Sequence, residues 1–153
     1  PAGARLGSTG PGSAPRAVAC FDDAVTDAPR SSLLALYRIL TVISVGLVLV
    51  LAVIAGSSST LFGTWDIEVH GYVGNLVFLL AAVMVVLSFL TQTRGVVVGV
   101  AVAFAGLTFV QIGLWYVGRE TLEAAAWHVP NGVLLMGIAT AHAALVWPQG
   151  SRA

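Results

Sequence analysis

The chain has no lysine, one cysteine and few charges of either sign. Each scarcity removes a class of function. Seven arginines balance seven acidic residues, so there is no net positive footprint for nucleic acid. Cys20 cannot form an internal disulfide alone and reads as incidental. No nucleophile–base pair, metal triad or phosphate-binding loop stands out, so no catalytic residue is assigned. Only 9% of residues are charged against 58% hydrophobic, and the mean hydropathy is +0.93. A single soluble domain of 153 residues cannot bury that much apolar surface, which places the chain in a membrane.

Proline and glycine are concentrated at the start. Residues 1–30 hold four of the six prolines and four glycines without an apolar period, and predict a disordered tail. No apolar run precedes a small-residue cleavage site there, so the tail does not read as a secretory signal. The chain opens on proline rather than methionine, as expected of a fragment or a processed product.

Apolar runs dominate what remains. A transmembrane domain over 31–148 is predicted, with helices at about 33–55, 69–90, 96–117 and 124–147, then a short tail at 149–153. Each run is about 22 residues, or roughly 33 Å of helix, enough for a hydrocarbon core of about 30 Å. Arg38 alone puts a charge inside a run, where its stem can snorkel to the interface. The connections at 56–68, 91–95 and 118–123 are short, which forces antiparallel neighbours. The fold class is therefore an all-α integral membrane four-helix bundle, running up-down-up-down.

Arg30, Arg38, Arg94 and Arg152 flank one set of helix ends; Arg119 stands at the other, beside Glu120 and Glu123. The positive-inside rule predicts a multi-pass cell-membrane protein with both termini cytoplasmic. Trp65, Trp115, Tyr116 and Trp127 near the outer ends, and Tyr37 and Trp147 near the inner ones, read as aromatic belts. Gly95 and Gly99 form a GxxxG, extended by Ala103, that predicts helix packing within the bundle first and association with another helix second.

Two histidines carry the functional reading. His70 and His128 are expected on the first turns of the second and fourth helices, at matched depth near the outer surface. Heme iron in a bundle takes two imidazoles from packed helices in an apolar slot, and these two suit axial ligation of one heme b. Gly71, Gly74 and Gly132 would make room for a flat macrocycle. Asn75, Gln111 and Asn131 would orient an imidazole or a propionate, and Arg119 would meet a propionate or pair with Glu123. The competing reading leaves both histidines among lipid headgroups and water.

A second heme on His142 and Met84 is geometrically allowed, since each lies 14 residues beyond an outer histidine. The favoured reading instead has His142 near the cytoplasmic surface and Met84 in the core. Asp66 and Glu68 read as helix-start residues meeting the positive dipole end, with proton handling as the alternative.

From about residue 33 to 147 the chain resembles one four-helix half of heme A synthase. The likeness rests on Glu68-Val69-His70-Gly71 opening helix two, Gln111-Ile112-Gly113 in helix three and Trp127-His128 opening helix four. It is similar, too, to small four-helix membrane proteins patterned like transmembrane b-type cytochromes. The resemblance implies a four-helix bundle with bis-histidine heme b at His70 and His128. It does not extend to hydroxylation: Ile67 stands where the catalytic half carries glutamate, the second half is missing, and the 56–68 loop lacks a cysteine pair.

The sequence thus leads to a membrane heme-b protein for electron transfer or heme handling, served by the bilayer and a membrane redox or assembly partner. A cofactor-free membrane subunit or scaffold, associating through Gly95 and Gly99, is the alternative. A lipid or quinone carrier using the same groove without iron stands third.

Overall fold

A computed structural model describes residues 16–57 and 67–148, with side chains described over 30–56 and 68–148. Four helices follow one another: α1 (Arg16–Ser57), α2 (Ile67–Leu90), α3 (Gly95–Gly118) and α4 (Leu122–Val146). Each contains a stretch long and apolar enough to cross a membrane; in α1 it is Arg30–Gly56. The expected all-α membrane bundle is the fold observed.

Two boundaries differ from expectation, and one is closed by a motif that hydropathy does not show. Helix α1 already runs from Arg16, where a disordered tail was predicted to residue 30. Residues 16–28 contain no glycine or proline, and Pro29 at their junction with the apolar span removes one backbone hydrogen bond without ending α1. Helix α4 starts at Leu122, with Thr121 extended at its N-cap position, so His128 lies on the second turn and not the first. Between α2 and α3, Gln92 takes a positive φ of 50°. The Thr93 N–H reaches back to the Ser88 carbonyl at 3.2 Å, closing a Schellman-type stop that hydropathy does not announce.

The helices form a square. Neighbours α1–α2, α2–α3, α3–α4 and α4–α1 pack, while among the described residues no Cα atoms of the diagonal pairs come within 8 Å of each other. Inward positions step by four and three: Tyr37, Thr41, Ser44, Val48 on α1; Val77, Ala81, Met84, Ser88 on α2; Val97, Ala101, Phe104, Thr108 on α3; Leu135, Ala139, His142, Val146 on α4. Steps of four, three and four average about 3.7, close to the 3.6 residues per turn of a straight α-helix, so each helix keeps one face inward over this length. Outward positions such as Leu79, Phe109 and Val133 are as apolar as the core, as a lipid-facing surface requires.

Four side-chain expectations are corrected here. Tyr37 is fully buried, not an interfacial belt residue. His142 is equally buried, and its Nε2 lies 2.7 Å from the Tyr37 hydroxyl in a hydrogen bond across α1 and α4. That partner, and the T-shaped ring contact with Tyr37, place His142 in the core and not at the cytoplasmic surface. Met84 is in the core as expected, with the Ser44 hydroxyl 4.0 Å from its sulfur. Gly95 and Gly99 face outward with Ala103, and a Cβ on either glycine would meet nothing within 4 Å. They do not mediate packing inside this bundle, because the four-three phase of α3 points Val97 and Ala101 inward instead.

Candidate functional site

Beyond Val48, Val77, Thr108 and Leu135 the bundle changes character. The same inward columns continue to Ala55 on α1, His70 on α2, Trp115 on α3 and His128 on α4, yet none of these four is fully buried. The space among them is a cavity of about 450 Å³, within the range of roughly 300–1,000 Å³ used by small ligands and cofactors. Its walls are mostly apolar, with His70, Asn75, Thr108, Gln111 and His128 as the polar exceptions.

The two histidines come from diagonal helices whose Cα atoms stay more than 8 Å apart, so their side chains span the centre of the square. Their ring centroids lie 5.9 Å apart at an interplanar angle of 50°. Two imidazoles bound to one metal ion at about 2.0 Å per bond place their centroids roughly 6 Å apart. Nδ1 of each ring is buried without a well-formed hydrogen bond. Backbone carbonyls stand as hydrogen-bonding neighbours of the rings, Leu51 of α1 beside His70 and Gln111 of α3 beside His128. Carbonyls in that role orient ligating histidines in metal proteins.

Around His128 the backbone is held by amides. Pro130 inside α4 has no N–H to offer the preceding turn and crowds the carbonyl four residues back, which weakens the helix there. The Gln111 Nε2 donates to the His128 carbonyl at 3.0 Å. Asn131 Nδ2 donates to Gln111 Oε1 at 2.6 Å and to the Leu107 carbonyl at 3.1 Å. The pair clips α4 to α3 beside its weakest point. Gln111 and Asn131 were expected to orient an imidazole or a propionate; here they hold backbone.

Gly71, Gly74 and Gly132 all line the cavity. A Cβ on Gly74 would meet nothing, and one on Gly132 would sit 3.5 Å from Gln111 Nε2. A Cβ on Gly71 would lie 3.5 Å from Trp115 Nε1, so this glycine is the berth of the indole. Asn75 is exposed at the cavity rim. Arg119 stacks over Trp115 at 5.9 Å from the ring centroid, and among the described residues it makes no ion pair with Glu123. Glu68 is exposed on the first turn of α2, suited to the positive helix end. Trp65 and Asp66 lie outside the described residues.

No family model, curated protein or solved structure matches this chain. Function therefore rests on the geometry alone. Among the described residues no group of three His, Cys, Asp or Glu converges as a bare metal ion would require.

Two features were missed by reading the sequence. Trp115 is an inward site residue, 5.4 Å from His70 and 6.3 Å from His128 between ring centroids, and not a belt residue. Its phase was available: Thr108, Gln111 and Trp115 continue the four-three step of α3. The second is the alanine wall, Ala52 and Ala55, which lines the cavity from α1.

Proposed function

We propose that the chain is an integral membrane heme-b-binding protein, with His70 and His128 as axial ligands of one iron. The observation that carries this reading is the pair of imidazoles at a separation one iron could span, each beside a backbone carbonyl, over an apolar cavity. Two imidazoles are too few for a bare structural ion. They suffice for an iron whose four equatorial positions are filled by a porphyrin. When bound, such a group supplies one-electron chemistry. The protein's part is to present two neutral imidazoles from opposite helices, keep bulk water away with apolar walls, and fix the His128 backbone through Gln111 and Asn131.

Electron transfer or heme handling with a membrane partner fits this site better than catalysis. Beside the two histidines the cavity lining holds no Asp, Glu, Cys, Lys or Arg. By the arginine distribution we place the protein in the cell membrane with both termini cytoplasmic, which puts the histidine end at the outer leaflet. A second heme on His142 and Met84 is disfavoured, because His142 already bonds Tyr37.

A reduced-minus-oxidised spectrum and a pyridine hemochromogen assay on detergent-purified protein test the proposal. One b-type heme per chain is expected, lost in the His70→Ala, His128→Ala double variant. Heme retained by that variant refutes the assignment.

One observation favours a second reading, that of a scaffold subunit: the Gly95–Gly99–Ala103 stripe of α3 faces the lipid. Close backbone approach by another helix needs such a face. Unchanged crosslinking after replacing both glycines with leucine counts against it.

A further inference from the structure

The three rings at the histidine end form a nearly equilateral triangle, with centroid separations of 5.4, 5.9 and 6.3 Å. Trp115 is thus almost equidistant from His70 and His128. Its indole lies close to the plane that bisects the histidine pair. A porphyrin centred between the two imidazoles would occupy that same plane, and its rim would reach the indole. Trp115 and a bis-histidine macrocycle cannot share these positions.

Trp115 is held on two sides. Its Nε1 edge lies over Gly71, where even a Cβ would come within 3.5 Å and a longer side chain would compete for the same space. The Arg119 guanidinium holds its face from the bundle end. Across the square, α1 lines the cavity with Leu51, Ala52 and Ala55, two of them small. The walls that would seat a planar ligand are already present, and the indole stands close to its plane.

We propose that Trp115 is the gate of this cavity: the indole fills the edge of the planar-ligand slot between His70 and His128 and swings aside when that ligand binds. The inference rests on the heme reading above and adds to it a residue that opposes binding. A site held closed by its own side chain loses apparent affinity in proportion to the closed fraction. Removing the side chain therefore strengthens binding, whereas removing a stacking wall would weaken it. The sign decides between them.

The test is hemin uptake by full-length apoprotein in detergent, followed by Soret absorbance in time and at equilibrium. Trp115→Ala is compared with wild type and with Trp127→Ala, a control at an exposed site. The expected result is roughly tenfold faster and tighter uptake in Trp115→Ala, with an unchanged bis-imidazole spectrum and no change in the control. Gly71→Leu, which takes the berth of the indole and pushes it into the slot, should slow uptake in the wild-type background. Trp115→Leu replaces Trp115→Ala if the alanine variant fails to fold. Weaker or unchanged hemin binding in the Trp115 variant, with wild type binding normally, overturns the gate and leaves the heme site standing. Hemin taken up by the Trp115 variant but not by wild type supports the gate in its strongest form. No uptake by either removes the heme reading and the gate with it.

Discussion

The two halves of the bundle are built on the same inward columns but filled differently. Toward the Arg30 and Arg94 end, the columns carry Tyr37, Met84, Phe104 and His142, all buried, and every inward polar group named there has a partner. Toward the other end they carry Ala55, His70, Trp115 and His128, all partly or fully accessible, around a cavity. Both halves contain an imidazole from α4. In the packed half a tyrosine hydroxyl bonds it; in the hollow half its nearest polar neighbour is the Gln111 backbone, without a well-formed bond to Nδ1.

That contrast can be broken or sharpened by substitution. The largest effect is expected on ligand content: His70→Ala or His128→Ala should remove nearly all bound heme. The thermal midpoint of the apoprotein should stay close to wild type, because neither ring packs in the closed core. A large fall in the apoprotein midpoint would show that the hollow half is structural after all. In the packed half, Phe104→Ala should cost about 3–5 kcal/mol in reversible unfolding from mixed micelles, as large-to-small core changes do. A cost below about 1 kcal/mol would mean the core there is loose too.

Smaller effects follow for the polar ties. Tyr37→Phe keeps the ring but strands His142 Nε2, and should cost about 1–3 kcal/mol. Adding His142→Leu should recover part of that loss in a double-mutant cycle, and strict additivity would deny the coupling. Asn131→Ala opens the clip beside Pro130 and should cost only about 0.6–1.7 kcal/mol, the scale of interhelical hydrogen bonds in membranes. Its larger signature should be a shifted heme midpoint potential through a less firmly held His128. Last, Gly99→Leu points into lipid and should leave unfolding unchanged to within about 0.5 kcal/mol. Only an association assay would move.

Much of the fold was legible because it needs only length and hydropathy. The helix spans from 69–90 and 96–117 were met within one or two residues by α2 and α3. The histidine pairing was legible as well, since parallel second and fourth helices bring residues near their starts to one depth. The rotation of each helix was not. In water, polar residues mark the outward face; in lipid, Leu79 outside and Val77 inside look alike. That is why Gly95 and Gly99 were turned inward in expectation, and why Trp115 and Tyr37 were left at the interface. The small polar residues carried the missing phase: Thr41, Ser44, Ser88 and Thr108 all fall on the inward columns.

The sequence by itself determined a membrane bundle of four antiparallel helices with two histidines at one end, because the bilayer demands long apolar helices and short loops allow no other order. Only the tertiary structure decided which side chains meet. Helix rotation turns on packing between faces of equal hydropathy, a difference of shape that no residue declares alone. It put Tyr37 on His142, clipped Gln111 to Asn131, and turned Trp115 inward beside the two histidines and not outward into an aromatic belt.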